Sequence, residues 1–176
     1  MLVYSFAGAY QHDYLTTIRK KIFDMKHPDK TYIKYTGEWH FKKIVYGGKQ
    51  NIEGRLFIDK DHIQLTKSYN IVLLISKYSL CPSGSGPNSI RFWESLAAGS
   101  IPILLSDTLE LPQHALWEKA ILRIKENELE NLPEILKKIG TEEEHERRAN
   151  CLQLYKYFRN NYTNNSKNEN REIIHY

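Results

Sequence analysis

The chain has only two cysteines among its 176 residues, Cys81 and Cys151. Two thiols cannot make a disulfide framework, and so low a count fits a reducing compartment. Long apolar runs are also missing, since no stretch reaches the roughly 18 residues that a membrane span requires. The opening MLVYSFAGAY has no basic n-region and reads as a strand rather than a signal peptide. No internal repeat is present, and low complexity is confined to the Asn-rich stretch 160–170. Seven histidines are scattered without H-E-x-x-H or paired metal spacing. No Walker A ending and no G-x-G-x-x-G spacing occurs in the turns.

The composition, 41% hydrophobic and 26% charged, is that of an ordinary folded domain long enough to bury a core. Charge is unevenly placed along it. Residues 1–60 carry 11 basic and 6 acidic side chains, 61–140 carry 8 and 9, and 141–176 carry 6 and 6. The basic first third favours an anionic partner, such as a phosphate, a polyanion or a membrane surface; a solvated Lys-rich face is the other, equally weighted reading. Nucleic acid fits poorly, because no aromatic-basic strand motif or recognition-helix pattern accompanies the charge.

Apolar β-type runs alternate with amphipathic helical patterns, which predicts an α/β fold with a parallel sheet. The first strand is Leu2–Ala7, ending at Gly8. Asp13 can cap a helix with apolar positions Leu15, Ile18, Ile22 and Met25. Thr31–Tyr35 reads as a second strand, and Gly37 to Lys60 as a long irregular connection. Ser79–Pro82 closes a strand, the turn Ser83–Pro87 follows, and a helix starts near Asn88 or Ser89. Gly99 ends that helix, and Ile101–Leu105 reads as a strand buried on both faces. Ala120–Ile124 is a further short strand. A helix with Leu129, Leu132, Leu136 and Ile139 stops at Gly140, and a last helix runs from about Glu142 to Arg159. The polar tail beyond it is expected to fray.

Ligands of an open parallel sheet bind beyond the carboxyl ends of its strands. Gly8–Tyr10, Pro82–Ser89 and Ser106–Leu109 should arrive there. The middle segment is a strand, a Gly/Ser turn and a helix N-terminus, which suits an anion through free N–H groups and the helix dipole. On the helix that follows, Ile90, Trp93 and Ala97 are expected on the buried face. Asn88, Arg91 and Glu94 or Ser95 project from another. Arg91 on a phosphate with Glu94 on a ribose diol is one reading of that spacing; a surface Arg91–Glu94 ion pair is the other.

The ordered run Cys81-Pro82-Ser83-Gly84, Ser89-Ile90-Arg91-Phe92-Trp93-Glu94, Ala98-Gly99-Ser100-Ile101-Pro102-Ile103, Ser106-Asp107 and Leu111-Pro112 resembles the exostosin family of glycosyltransferases. Tyr4-Ser5-Phe6-Ala7-Gly8 with Arg19 downstream, and Glu128–Ile139 with the helix after it, extend the resemblance over roughly residues 1–160. It implies a GT-B enzyme, two Rossmann-like lobes with the active site between them. These motifs are similar to those of its C-terminal, nucleotide-sugar-binding lobe. Residues 1–160 then form the donor-binding domain and 161–176 the tail.

By that resemblance Arg19 and Arg91 contact the diphosphate and Ser83–Ser89 cradle it. Glu94 holds the ribose, and the donor-binding set is Gly8, Arg19, Ser83, Gly84, Ser85, Asn88, Ser89, Arg91 and Glu94. The family often has cysteine where Ser100 stands, and its turn usually lacks the second Gly-Pro. The general base of an inverting GT-B enzyme commonly belongs to the acceptor lobe, so no catalytic residue is assigned here.

The implied activity transfers a sugar from a nucleotide-diphosphate donor to a glycan acceptor. The implied partners are those two substrates and an acceptor-lobe domain or partner chain. A cytoplasmic location, at the membrane surface through peripheral association, fits the missing span. The alternative is a non-catalytic nucleotide-binding module that needs a partner chain. Asp59-Lys60-Asp61 matches the D-x-D pattern by which another glycosyltransferase fold holds a divalent metal. The GT-B plan does not need that metal, so none is assigned and Asp59/Asp61 stay a minor candidate. His12 and His114 are expected near strand ends, with lining of the crevice as one reading and a plain surface position as the more ordinary one. Cys81, within a strand, lacks the partnered base a nucleophile needs.

Overall fold

The structure, a computed structural model, describes residues 1–37 and 60–172, and of 60–63 and 162–172 the backbone alone. Among the described residues five strands make one parallel sheet in the order β2-β1-β3-β4-β5. They are β1 (Leu2–Gly8), β2 (Tyr32–Tyr35), β3 (Ser76–Pro82), β4 (Ile101–Leu105) and β5 (Leu122–Arg123). The helices are α1 (Ile18–Asp24), α2 (Lys60–Ile75), α3 (Ile90–Ala98), α4 (Trp117–Ala120), α5 (Leu132–Lys137) and α6 (Thr141–Glu172), with a 3₁₀ segment at Glu126–Asn131. The predicted parallel neighbours β1, β3 and β4 lie side by side. No helix among the described residues is long and apolar enough to cross a membrane.

Register assigns the two faces of the sheet. Tyr4 pairs with Tyr78, and Tyr78, Leu80 and Cys81 pair with Ile101, Ile103 and Leu104. Side chains alternate along a strand, so one face carries Tyr4, Phe6, Tyr78, Leu80, Ile101 and Ile103. The opposite face carries Ser5, Ala7, Ser79 and Cys81, all small. Helix α3 settles on this small-residue face: Cys81 Sγ lies 3.9 Å from Ser95 Oγ, and Ser79 Oγ lies 2.7 Å from Ser100 Oγ. Bulky residues there would hold the helix off the sheet.

Pro102 sits inside a central strand, where the missing N–H normally costs a ladder bond. Leu105 O accepts from Ser83 N and Leu104 O accepts from Ile124 N, so odd residues of β4 face β3 and even ones face β5. Pro102 therefore turns its nitrogen toward β5, which pairs only with Ile103 and Leu104. No ladder bond is lost.

Several element expectations need correction. Helix α1 begins at Ile18, with Thr17 rather than Asp13 at its N-cap. The N–H of Leu15 is taken by Gly84 O at 2.8 Å, which ties residues before α1 to the β3 exit. Helix α2 has no counterpart among the elements that the sequence pattern predicts. On α3 the buried stripe is Phe92, Ser95 and Leu96, while Ile90 is 61% exposed, so the helix is rotated from the expected face. The packing of Ser95 on Cys81 sets that rotation. Of the expected Ala120–Ile124 strand only Leu122–Arg123 forms β5, while Ala120 ends α4, closed by Ile121 N to Trp117 O at 3.0 Å. Helix α6 continues past Arg159 to Glu172.

Gly99 adopts φ 67° and ends α3. Ser100 N reaches Ser95 O and Gly99 N reaches Leu96 O, the paired bonds of a Schellman motif. Behind α3, Trp93, Trp117 and Phe158 form an aromatic layer, with Trp117 and Phe158 stacked at 5.3 Å. That layer locks α6 against α3 and α4.

Candidate functional site

Strand order reverses between β1 and β3, because β1 leads toward β2 and β3 leads toward β4. A crevice opens above the carboxyl ends of such a pair. Gly8 and Ala9 leave β1 there, Ser83 and Gly84 leave β3, and α3 presents its N-terminus. Its first turn carries N–H groups without intrahelical acceptors.

Arg19 reaches back from the start of α1 across this crevice. Its Nε donates to Ser83 O at 2.7 Å and its Nη1 to Ala9 O at 3.2 Å. The guanidinium lies 5.0 Å from the Tyr14 ring and 5.8 Å from the Phe6 ring. Burial, with Arg91 nearby, lowers its pKa from the ordinary range. A guanidinium starts so high that it stays charged. Arg91 donates through Nη2 to Ala7 O and lies 5.0 Å from the same Phe6 ring. Two cations 72 positions apart in sequence thus flank one phenyl ring at the mouth of β1.

Glycine at two positions follows from this crowding. A Cβ on Gly84 would stand 2.8 Å from Arg19 Nη2, and one on Gly8 would stand 3.0 Å from Phe6 Cζ. Both glycines make room for the arginine and its ring.

Other groups in the turn are already engaged. Ser83 is buried; its N–H goes to Leu105 O, and its hydroxyl meets Thr16 Oγ1 at 3.0 Å and Glu126 Oε1 at 3.1 Å. Gly84 N donates to Gly86 O at 2.9 Å. Asp107 Oδ1 accepts from Glu126 N at 3.1 Å, which holds that carboxylate in place. Ser85 and Asn88 are exposed, and Ser89 is half-buried at the N-cap of α3.

Glu94, half-buried on α3, accepts a hydrogen bond from Tyr69 Oη at 2.7 Å. The Tyr69 ring in turn lies 4.9 Å from Arg91 Cζ. Tyr69, Tyr14, Thr16 and Glu126 were absent from the sequence-derived set. The run Tyr10, His12, Tyr14 beside a strand end was a signal for Tyr14; nothing local marked Tyr69.

The remaining candidates lie elsewhere. Burial pushes the Cys81 thiol up to about 12, which leaves it protonated and inert. His12 is exposed against Tyr10, and His114 packs on Tyr157 and Phe158 of α6. Asp59 and the side chain of Asp61 lie outside the described residues. Among the described residues, no group of three or more His, Cys, Asp and Glu side chains could hold a metal ion.

Comparison with known proteins finds relatives of this chain. Exostosin-1 of Drosophila melanogaster is 34% identical over 87 residues, 48% of this chain and 11% of its own. A probable glucuronoxylan glucuronosyltransferase of Arabidopsis thaliana is 30% identical over 74 residues, 41% of this chain and 16% of its own. An exostosin-1 homolog of Caenorhabditis elegans is 29% identical over 89 residues, 49% of this chain and 23% of its own. The chain thus spans less than a quarter of the length of each of these relatives. The family model for the exostosin GT47 domain matches residues 2–139, well over half of the chain. With the expected parallel α/β architecture in place as well, the chain belongs to the exostosin GT47 domain family.

Proposed function

We propose that the chain is the donor-binding domain of a glycosyltransferase that moves a sugar from a nucleotide-diphosphate donor to a glycan acceptor. The carrying observation is the placement of Arg19 and Arg91 around Phe6, at the strand-order reversal and beside the α3 N-terminus. The names of the relatives, exostosins and a glucuronosyltransferase, support the same reading.

In this reading the two guanidiniums and the first-turn N–H groups of α3 receive the diphosphate, with Ser85, Asn88 and Ser89 along its path. Ser83, Gly8 and Gly84 shape the wall that seats Arg19. Glu94 accepts the ribose hydroxyls. As the sugar departs, negative charge grows on the diphosphate leaving group, and fixed cations and N–H dipoles stabilise it there. Two arginines supply that charge without a metal. The acceptor and the general base come from another domain or a partner chain.

Calorimetric titration with the four ribonucleoside diphosphates and inorganic pyrophosphate tests this. Arg91→Ala should weaken all of them by about 1.5–3 kcal/mol, the range for a charged hydrogen bond. Unchanged affinity in a variant that melts like the parent would make Arg91 purely structural. A non-catalytic module would pass the same binding test and fail to turn over donor once an acceptor domain is supplied.

A further inference from the structure

Arg91 and Glu94 stand three residues apart on α3, the spacing at which opposite charges on a helix ordinarily meet. Here they do not meet. Among the described residues no ion pair joins them, although pairs at the same or similar spacing form elsewhere, as in Glu134–Lys137 and Glu143–Arg147. Tyr69, brought over by α2, lies against both instead. Its ring is 4.9 Å from Arg91 Cζ, and its hydroxyl donates to Glu94 Oε2 at 2.7 Å. Phe6 and the Ala7 carbonyl complete the seat of the guanidinium.

Each part of Tyr69 does a separable job. The ring favours the cation and occupies the space that the Glu94 carboxylate would need to reach it. The hydroxyl fixes one carboxylate oxygen, and Glu94 keeps further lone pairs for other donors. Burial raises the Tyr69 pKa well above the ordinary phenol range, so the group stays a donor.

We propose that Tyr69 is a positioning residue that keeps Arg91 and Glu94 apart, reserving the cation for a diphosphate and the carboxylate for the diol of a ribonucleotide. The inference rests on the donor-site reading above and deepens it. Without Tyr69 a ligand would first have to break an Arg91–Glu94 pair and then order two long side chains. Ordering each one weakens binding by about two- to tenfold.

The test titrates the chain, Tyr69→Phe and Tyr69→Leu with a ribonucleoside diphosphate, its 2′,3′-dideoxy counterpart and inorganic pyrophosphate. Melting midpoints establish that the compared chains are folded. Tyr69→Phe keeps the ring and removes the hydroxyl, so ribonucleoside diphosphate should bind about three- to tenfold more weakly. The dideoxy compound and pyrophosphate should stay within about twofold, and in a Glu94→Gln background the Phe substitution should add nothing. Tyr69→Leu removes the separator, so pyrophosphate should weaken as well, by about tenfold. If Tyr69→Leu does not fold, the Phe arm decides alone. Equal weakening of ribonucleotide and pyrophosphate by Tyr69→Phe, or no weakening of either, would overturn the proposal. If the unmutated chain binds no diphosphate, the donor-site reading fails and the inference falls with it. If it binds them and the Tyr69 variants do not discriminate, the inference alone fails.

Discussion

Glu94 is the residue on which the reading of this site is most exposed to test. A carboxylate accepts from two hydroxyls on adjacent carbons, whereas Gln offers one acceptor and one donor in the same shape. Glu94→Gln should weaken a ribonucleoside diphosphate by about 1.5–3 kcal/mol and leave inorganic pyrophosphate unchanged. A 2′-deoxy analogue should show part of that loss on the parent and little further loss on the variant. Equal weakening of both ligands would mean that Glu94 acts through Arg91 or the helix. The residue was legible in the sequence because its family motif is an ordered run; its partner Tyr69 was not, since α2 carries no such run. Glycine shows the same divide. The family motif marks Gly8 and Gly84 as donor-binding, but that Phe6 and Arg19 lie where their side chains would stand shows only in the structure.

At the scale of elements, legibility followed burial. Strands β1, β3 and β4 stood out because their central residues are buried on both faces, which removes polar alternation. Helix α2 has no comparable stripe: Leu73 is buried, while Leu65, Ile71 and Leu74 are more than half exposed. Periodicity alone therefore could not find it. The rotation of α3 escaped for a related reason. Its contact residue Ser95 is polar, and only the facing small residues of β1 and β3 explain its burial. The β3 turn is likewise held by partners remote in sequence. The Ser83 hydroxyl meets Thr16 before α1 and Glu126 in the 3₁₀ segment, so it joins three elements rather than facing a ligand. Ser83→Ala should lower stability by about 1–2 kcal/mol while diphosphate affinity stays within about twofold. Denaturant unfolding beside titration checks this, and a large affinity loss at unchanged stability would return the hydroxyl to the ligand.

The molecule as a whole is predicted to be sensitive to alkali through groups that its core keeps protonated. Burial pushes Cys81 and Cys151 up from 9.0 to about 12, and Tyr4 and Tyr78 up from 10.0 to about 12. In the unfolded chain these groups titrate near their ordinary values, so above pH 9 the unfolded state binds fewer protons than the native one. Stability then falls as pH rises, by about 1.4 kcal/mol per pH unit for each group ionised only in the unfolded chain. The contribution is fully present below pH 9 and is lost as pH climbs toward 12. The thiols lead because their ordinary value is the lower one, and the tyrosines follow about a unit later. Under reducing conditions, urea unfolding at pH 8, 9 and 10 should show this decline. The Cys81→Ala/Cys151→Ala variant should start from lower stability, since two small cavities are opened, but lose less of it between pH 8 and 10. Parallel pH profiles for parent and variant would place the alkaline sensitivity in groups other than the buried thiols.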